Sequence, residues 1–312
     1  MRVQNPLTLK TIAVVTAYFL VIFYFFSTVF ANYYFYYPSL PKIHEHYDTY
    51  LAVFNTSTRI LMTYSSVALV FTTVLLLWFR PTSFPRTAIW MSIVLASIST
   101  IATLFFIMPL QLSLWISGYN DALFQKLMLI SQYFQIIPNF LQILIGFGLL
   151  NRYLSHIKFM SRWIFILFFS LTLFTTNYDS TVAFQLYTTV GSADWIAFRN
   201  AILPPLFFIF LILAFTPMLL TIPMFWLRPK SIPRYFVGIY GLIIFWIFFI
   251  SAIYIASQLQ GYLEHNYSRL IIEELVNADF MYRGLPGMIL TFITVCMFVK
   301  VGQDKIRSQN LA

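Results

Sequence analysis

The sequence predicts an all-α polytopic membrane protein, with eight transmembrane helices arranged as two parallel tandem four-helix repeats. Three observations carry this reading. Of 312 residues, 60% are hydrophobic and 9% charged, where a soluble domain carries about a quarter charged residues. The apolar residues come in long unbroken runs, which excludes a β-barrel, whose strands alternate. A ten-residue element returns 148 residues later in the chain.

About 20 apolar residues cross a bilayer as a helix. On that measure the spans lie near 12–36, 60–79, 88–114, 132–151, 160–184, 201–227, 235–260 and 284–300. The first run is too long for a cleavable signal and has no small-residue cleavage pattern, so it is expected to remain as a helix. The fifth holds Asn177, Asp179 and Ser180 in its last turns. Aromatic residues make up 20% of the chain, as belts at both interfaces require.

Lys and Arg orient the chain. Alternate segments carry 13 of the 19 basic residues with Asp304 as their only acid, and the opposite set holds six basic residues and nine acids. By the positive-inside rule the basic set and both termini are cytoplasmic. The expected location is a plasma or bacterial inner membrane. The net charge of +9 does not point to nucleic acid, because the basic residues flank apolar spans and form no stripe on a soluble face.

Leu77-Trp78-Phe79-Arg80-Pro81-Thr82-Ser83-Phe84-Pro85-Arg86 recurs as Phe225-Trp226-Leu227-Arg228-Pro229-Lys230-Ser231-Ile232-Pro233-Arg234. The same offset maps Lys10 to Lys158, Tyr119 to Tyr267 and Pro138 to Pro286. The repeats therefore cover 1–157 and 158–312, and an even number of spans in each makes them parallel. The element itself reads as a tight cytoplasmic turn. Proline stops one helix and restarts the next, while Arg80, Arg86, Arg228 and Arg234 can meet lipid phosphates.

Candidate chemistry gathers on the outward side. His44 and His46, beside Glu45 and Asp48, are a weak metal-ligand pattern; the expectation is a solvated loop, no metal and no cofactor. The segment 261–283 reads as an amphipathic helix on the outer surface. Polar residues at membrane depth are costly to bury in lipid, and so mark a ligand site: Asp179, Asn177, Gln111, Gln258 and Gln260. They are expected either to converge on an outward cleft between the halves or to lie at the interface, satisfied by lipid headgroups. Asp179 is the sharpest candidate, since position 31, its counterpart in the repeat, is Ala31. A phosphate-binding glycine loop, a zinc-protease motif and a Cys-x-x-Cys pair are all missing from the sequence.

Tyr36-Tyr37-Pro38, then Tyr47-x-x-Tyr50, then Met108-Pro109-Leu110-Gln111-Leu112-Ser113-Leu114 resemble a family of four-helix membrane proteins, mostly uncharacterised, that includes the fungal anthrone oxygenases. The resemblance covers about 30–150 and implies a small-molecule oxygenase without an obvious cofactor. Three classes of function follow: a membrane protein that binds a small or lipidic ligand, or a partner subunit, on its outward face; a membrane oxygenase; and a transporter. The lipid bilayer is the one partner all three share.

Overall fold

The computed structural model describes residues 8–176, 186–264 and 266–310; for 55, 57–59, 203–214 and 309–310 it describes the backbone alone. Every regular element among the described residues is a helix, with no strand. The helices are α1 (Leu9–Lys42), α2 (Tyr47–Phe79), α3 (Arg86–Ser117), α4 (Asp121–Tyr153), α5 (Phe159–Thr176), α6 (Trp195–Leu227), α7 (Arg234–Gln260) and α8 (Arg269–Ser308). Among the described residues six helices are long and apolar enough to cross a membrane: α1, the Ile60–Phe79 part of α2, α3, α4, α7 and α8. The described parts of α5 and α6 add two shorter apolar helices, Phe159–Thr175 and Phe215–Leu227. The chain is thus built as an integral membrane protein.

Four of the prolines inside these helices do not break them, because the turn before each of the four widens, whereas α6 stays α-helical across Pro217 and Pro223. Wide turns with i→i+5 hydrogen bonds occupy Asn32–Tyr36, Thr103–Ile107, Gln132–Ile136 and Phe280–Gly284. Pro38, Pro109, Pro138 and Pro286 follow within the next two residues. A proline ring clashes with the carbonyl four residues back, and here that carbonyl always lies inside the wide turn, where the backbone is displaced. A longer wide segment, Ser251–Gln260, contains no proline.

Within the segment 261–283, expected as an amphipathic surface helix, residues 269–279 instead form the first part of the continuous helix α8. Its apolar face, Ile272, Leu275 and Ala278, is buried. Asn120 and Ser268 cap α4 and α8 in the same way, each accepting from the backbone N–H three residues on.

At the opposite end, the two arginine turns are built alike. Arg80 donates through Nη1 to the Phe84 carbonyl, and Arg228 through Nε to the Ile232 carbonyl, both at 2.7 Å. Pro85 and Pro233 then restart α3 and α7 from extended backbone. Trp78 and Trp226 stand exposed beside these turns, suited to a membrane interface.

Helices α1 to α4 pack as one group, in the order α1–α2–α3–α4 with α4 closing on α1; α5 to α8 pack in the same order with α8 closing on α5. The groups meet through α1 against α5 and α8, and α4 against α5. Phenylalanines fill that junction. Phe169 lies 6.4 Å from both Phe19 and Phe23, and stacks on Phe298 at 4.7 Å between ring centroids.

Two clasps tie the groups at their ends. At the end rich in acidic loops, the Asp194 carboxylate accepts from the backbone N–H groups of His44 and Glu45, and the Glu45 carboxylate accepts from Ala193 N–H. At the arginine end, Lys305 donates to the Tyr153 carbonyl at 2.6 Å and sits 4.7 Å over the Tyr153 ring.

Candidate functional site

The interior of the first helix group is not uniformly apolar. On α4 the side chains of Ser131, Gln135, Asn139 and Gln142 are all buried. Their spacing of four, four and three residues sets them on one helical face. Across from them α3 buries Ser92, Ser99, Thr103 and Gln111. From Ser92 to Gln111 is roughly 28 Å of helix, close to the thickness of a bilayer core.

These groups satisfy one another from helix to helix. Gln111 donates to the Tyr37 hydroxyl at 3.0 Å, and Ser131 acts electrostatically on the same hydroxyl. Ser131 donates to the Gln135 carbonyl oxygen at 3.2 Å, and Gln135 donates to Thr103 at 2.6 Å. Further along, Asn139 donates to Ser99 at 2.9 Å, Gln142 to the Ser92 carbonyl at 3.4 Å, and the hydroxyls of Tyr18 and Ser92 lie 3.3 Å apart. A second contact of the motif residues pairs Ser39 with the Tyr50 hydroxyl at 2.9 Å. Every member is neutral, so the seam binds by hydrogen bonds and not by charge. Within a membrane each such bond adds on average about 0.6 kcal/mol to helix association.

The second group places charge at the matching position. Asp279 and Arg283 form an ion pair at 2.7 Å, almost entirely buried, where α4 carries Ser131 and Gln135. Nearby, buried Arg199 donates to the Gln260 carbonyl at 3.2 Å, and buried Tyr187 lies in the field of Arg199, Asp279 and Arg283. Trp195 closes this end by donating to the Leu263 carbonyl at 3.0 Å.

Of the predicted site residues, the three that are described, Gln111, Gln258 and Gln260, do not converge on one cleft. Gln111 joins the neutral seam, Gln258 is exposed, and Gln260 contributes only its backbone carbonyl to Arg199. Gln111 and Gln260 therefore belong to different helix groups, because each group closes around its own interior. Asn177 and Asp179 lie outside the described residues. His44 and His46 are exposed, with their loop held through backbone N–H groups. Among the described residues no three His, Cys, Asp or Glu side chains gather as metal ligands. Of the four arginines, Arg86 and Arg234 are exposed, whereas Arg80 and Arg228 spend donors on their own turns.

Sequence reasoning passed over Asn32, Gln135, Asn139, Gln142, Arg199 and the Asp279–Arg283 pair. The signal for the α4 residues was present: four polar side chains at helical spacing inside an apolar span. Compared with family models, curated proteins and solved structures, the chain matches none.

Proposed function

We propose that the chain is an eight-span membrane protein of two parallel four-helix repeats that binds a small or lipidic ligand in the outward part of its first repeat. The observation that carries the site is the bonded pair Gln111–Tyr37 together with the linked run Ser131–Gln135–Thr103, whose Ser131 acts on the Tyr37 hydroxyl. Polar side chains from three helices meet there, next to wide turns in all three, and wide turns of this kind are frequent at functional sites.

The two-repeat reading rests on helix bounds that recur at the 148-residue offset. Helices begin at Tyr47 and Trp195, Arg86 and Arg234, Asp121 and Arg269. The wide turns Gln132–Ile136 and Phe280–Gly284 match in the same way. Tyr50 and Phe198, equivalent by that offset, touch each other at 5.8 Å between ring centroids. Contact between equivalent positions is what a two-fold axis between two halves produces, and an axis along the membrane normal suits parallel repeats. The distribution of basic residues supports cytoplasmic termini, with the acidic loops facing outward.

Native mass spectrometry of the detergent-purified protein tests the ligand reading. The expected result is a retained small molecule or lipid that is lost in Tyr37→Phe with Gln111→Leu, while the protein stays folded. A wild-type protein that carries nothing specific, or a ligand indifferent to both changes, refutes it.

A second reading is a membrane oxygenase. The residues that carry the resemblance to anthrone oxygenases fall in one neighbourhood, with Tyr37 bound to Gln111 and Tyr50 to Ser39. Oxygen uptake that does not change when the retained molecule is supplied in excess removes this reading.

A further inference from the structure

The two arginine turns share a backbone but not a surface. Between α6 and α7 the turn is locked by Arg228. Its Nε donates to the Ile232 carbonyl at 2.7 Å, its Nη1 donates to the Phe225 carbonyl at 3.0 Å, and the Ile232 N–H donates to the Pro229 carbonyl at 3.0 Å. Arg228 is thus spent on the chain itself, whereas Lys230 and Arg234 are exposed. The guanidinium carbon of Arg234 lies 5.9 Å from the centroid of the Phe225 ring, at the end of α6. A cation over an aromatic face is attracted to it, so the ring positions this guanidinium. Trp226, 5.5 Å from Phe225 between centroids, is exposed. An exposed tryptophan at the end of an apolar helix sits at the level of the lipid headgroups.

The turn between α2 and α3 differs at two of these positions. By the 148-residue offset Lys230 corresponds to Thr82 and Phe225 to Leu77. Arg86, the counterpart of Arg234, is exposed as well but has a leucine where Arg234 has a ring. Both turns keep the internal arginine bond, and both restart the next helix from a proline. The lysine and the ring are therefore not needed to build the turn. What they add is a pair of exposed cations, one of them held in place, at headgroup depth. Among the described residues neither Lys230 nor Arg234 forms an ion pair with an acid. The chain has no Asp or Glu between Asp194 and Glu264, so the counter-charge comes from outside this stretch.

We propose that the turn between α6 and α7 binds the headgroup of an anionic phospholipid, with Lys230 and Arg234 meeting its phosphate, and that the turn between α2 and α3 has no equivalent site. Arginine offers planar N–H groups that match two phosphate oxygens, and lysine adds a compact positive charge. A zwitterionic headgroup carries its own ammonium beside the phosphate, which offsets the attraction, so a lipid of net negative charge is preferred. The site lies at the opposite end of the bundle from Tyr37 and Gln111 and does not depend on the ligand proposed there.

The test is native mass spectrometry of the full chain in detergent, titrated with phosphatidylglycerol and with phosphatidylcholine of identical acyl chains. One basic residue near an anionic lipid surface is worth about fivefold in binding, so the wild type is expected to favour phosphatidylglycerol by about tenfold or more. Lys230→Thr with Arg234→Gln should cut that preference to about twofold. Phe225→Leu keeps both charges and removes only the ring that positions Arg234; it should lower the preference by about two- to threefold. Arg86→Gln should leave it unchanged. If the double variant does not fold, Lys230→Thr with Phe225→Leu takes its place, since the turn between α2 and α3 is built with those residues. Equal affinity for the two lipids overturns the proposal, as does a preference that survives the double variant. A loss in Arg86→Gln as large as in the double variant shows a general attraction to basic helix ends and overturns the assignment to this turn. Displacement of the lipid by millimolar inorganic phosphate makes free phosphate the ligand and overturns it too.

Discussion

The carboxylate of Asp279 and the guanidinium of Arg283 lie 2.7 Å apart on one face of α8, where α4 carries the neutral pair Ser131 and Gln135. Two helices of matching register thus close the same position by different electrostatics. Both side chains of the ion pair are shielded from solvent, Asp279 at 1% and Arg283 at 12% exposure, so each depends on the other. Arg283→Gln is expected to destabilise the protein by roughly 3–5 kcal/mol, because it leaves a buried carboxylate without its cation. Adding Asp279→Ser, which recreates the Ser–Gln pair of α4, should recover most of that loss. Melting of both variants in the same detergent checks this, and a double variant no better than the single one contradicts it.

The acidic-loop clasp makes a separate prediction. Asp194 accepts two backbone N–H groups through one carboxylate oxygen, and charge-assisted bonds of this kind contribute about 1.5–3 kcal/mol each before losses in ordering. Asp194→Ala should lower stability by about 2 kcal/mol and expose the 43–46 loop to proteolysis. Gly191→Ala should produce a weaker form of the same effect. A Cβ at 191 would fall 2.0 Å from Glu45 Oε2, which drives that carboxylate away from Ala193. Unchanged protease sensitivity in both variants would show that the clasp contributes nothing.

At the other end, Gly302 allows α8 to approach α4 and α1. A Cβ there would lie 2.6 Å from the Tyr153 hydroxyl and 3.1 Å from Ile12 Cδ1. Overpacking of that order costs about 1–3 kcal/mol, so Gly302→Ala should lower the melting midpoint. Tyr153→Phe should rescue it in part. The hydroxyl it removes is the nearest obstacle and has no hydrogen-bond partner of its own. Absence of rescue in the double variant would place the strain elsewhere.

Orientation is open to a direct check. Reporter fusions within 80–87 and after Lys300 are expected to read cytoplasmic, and fusions within 37–59 external. The basis is the excess of Lys and Arg on one set of segments. An external reading after Lys300 would rule out an even number of spans with cytoplasmic termini.

Part of the candidate site was legible beforehand and part was not. Gln111 stood out as a polar residue at the outer end of an apolar span, and it is indeed buried against Tyr37. Gln258 stood out for the same reason yet faces outward from the bundle. Hydropathy measures how polar a position is within a span, not which way the helix is turned. The 148-residue sequence offset carried more information than any motif, since it also located differences: Gln142 against Leu290, and Gln135 against Arg283.

The sequence alone determined that the chain is helical, and that its apolar runs are long enough for a bilayer. It also determined where the turns fall, because hydrophobic length, proline and arginine act locally and need no partner to be read. Only the tertiary structure decided which polar side chains share an interior. Tyr37 and Gln111, Asn139 and Ser99, and Asp194 and Glu45 are far apart in the chain, and their meeting depends on the rotation of each helix against its neighbours. Packing across the whole bundle sets that rotation, including the wide turns that re-aim each helix beyond its proline. No local pattern encodes it, so the partners of these buried groups emerge only once the helices are assembled.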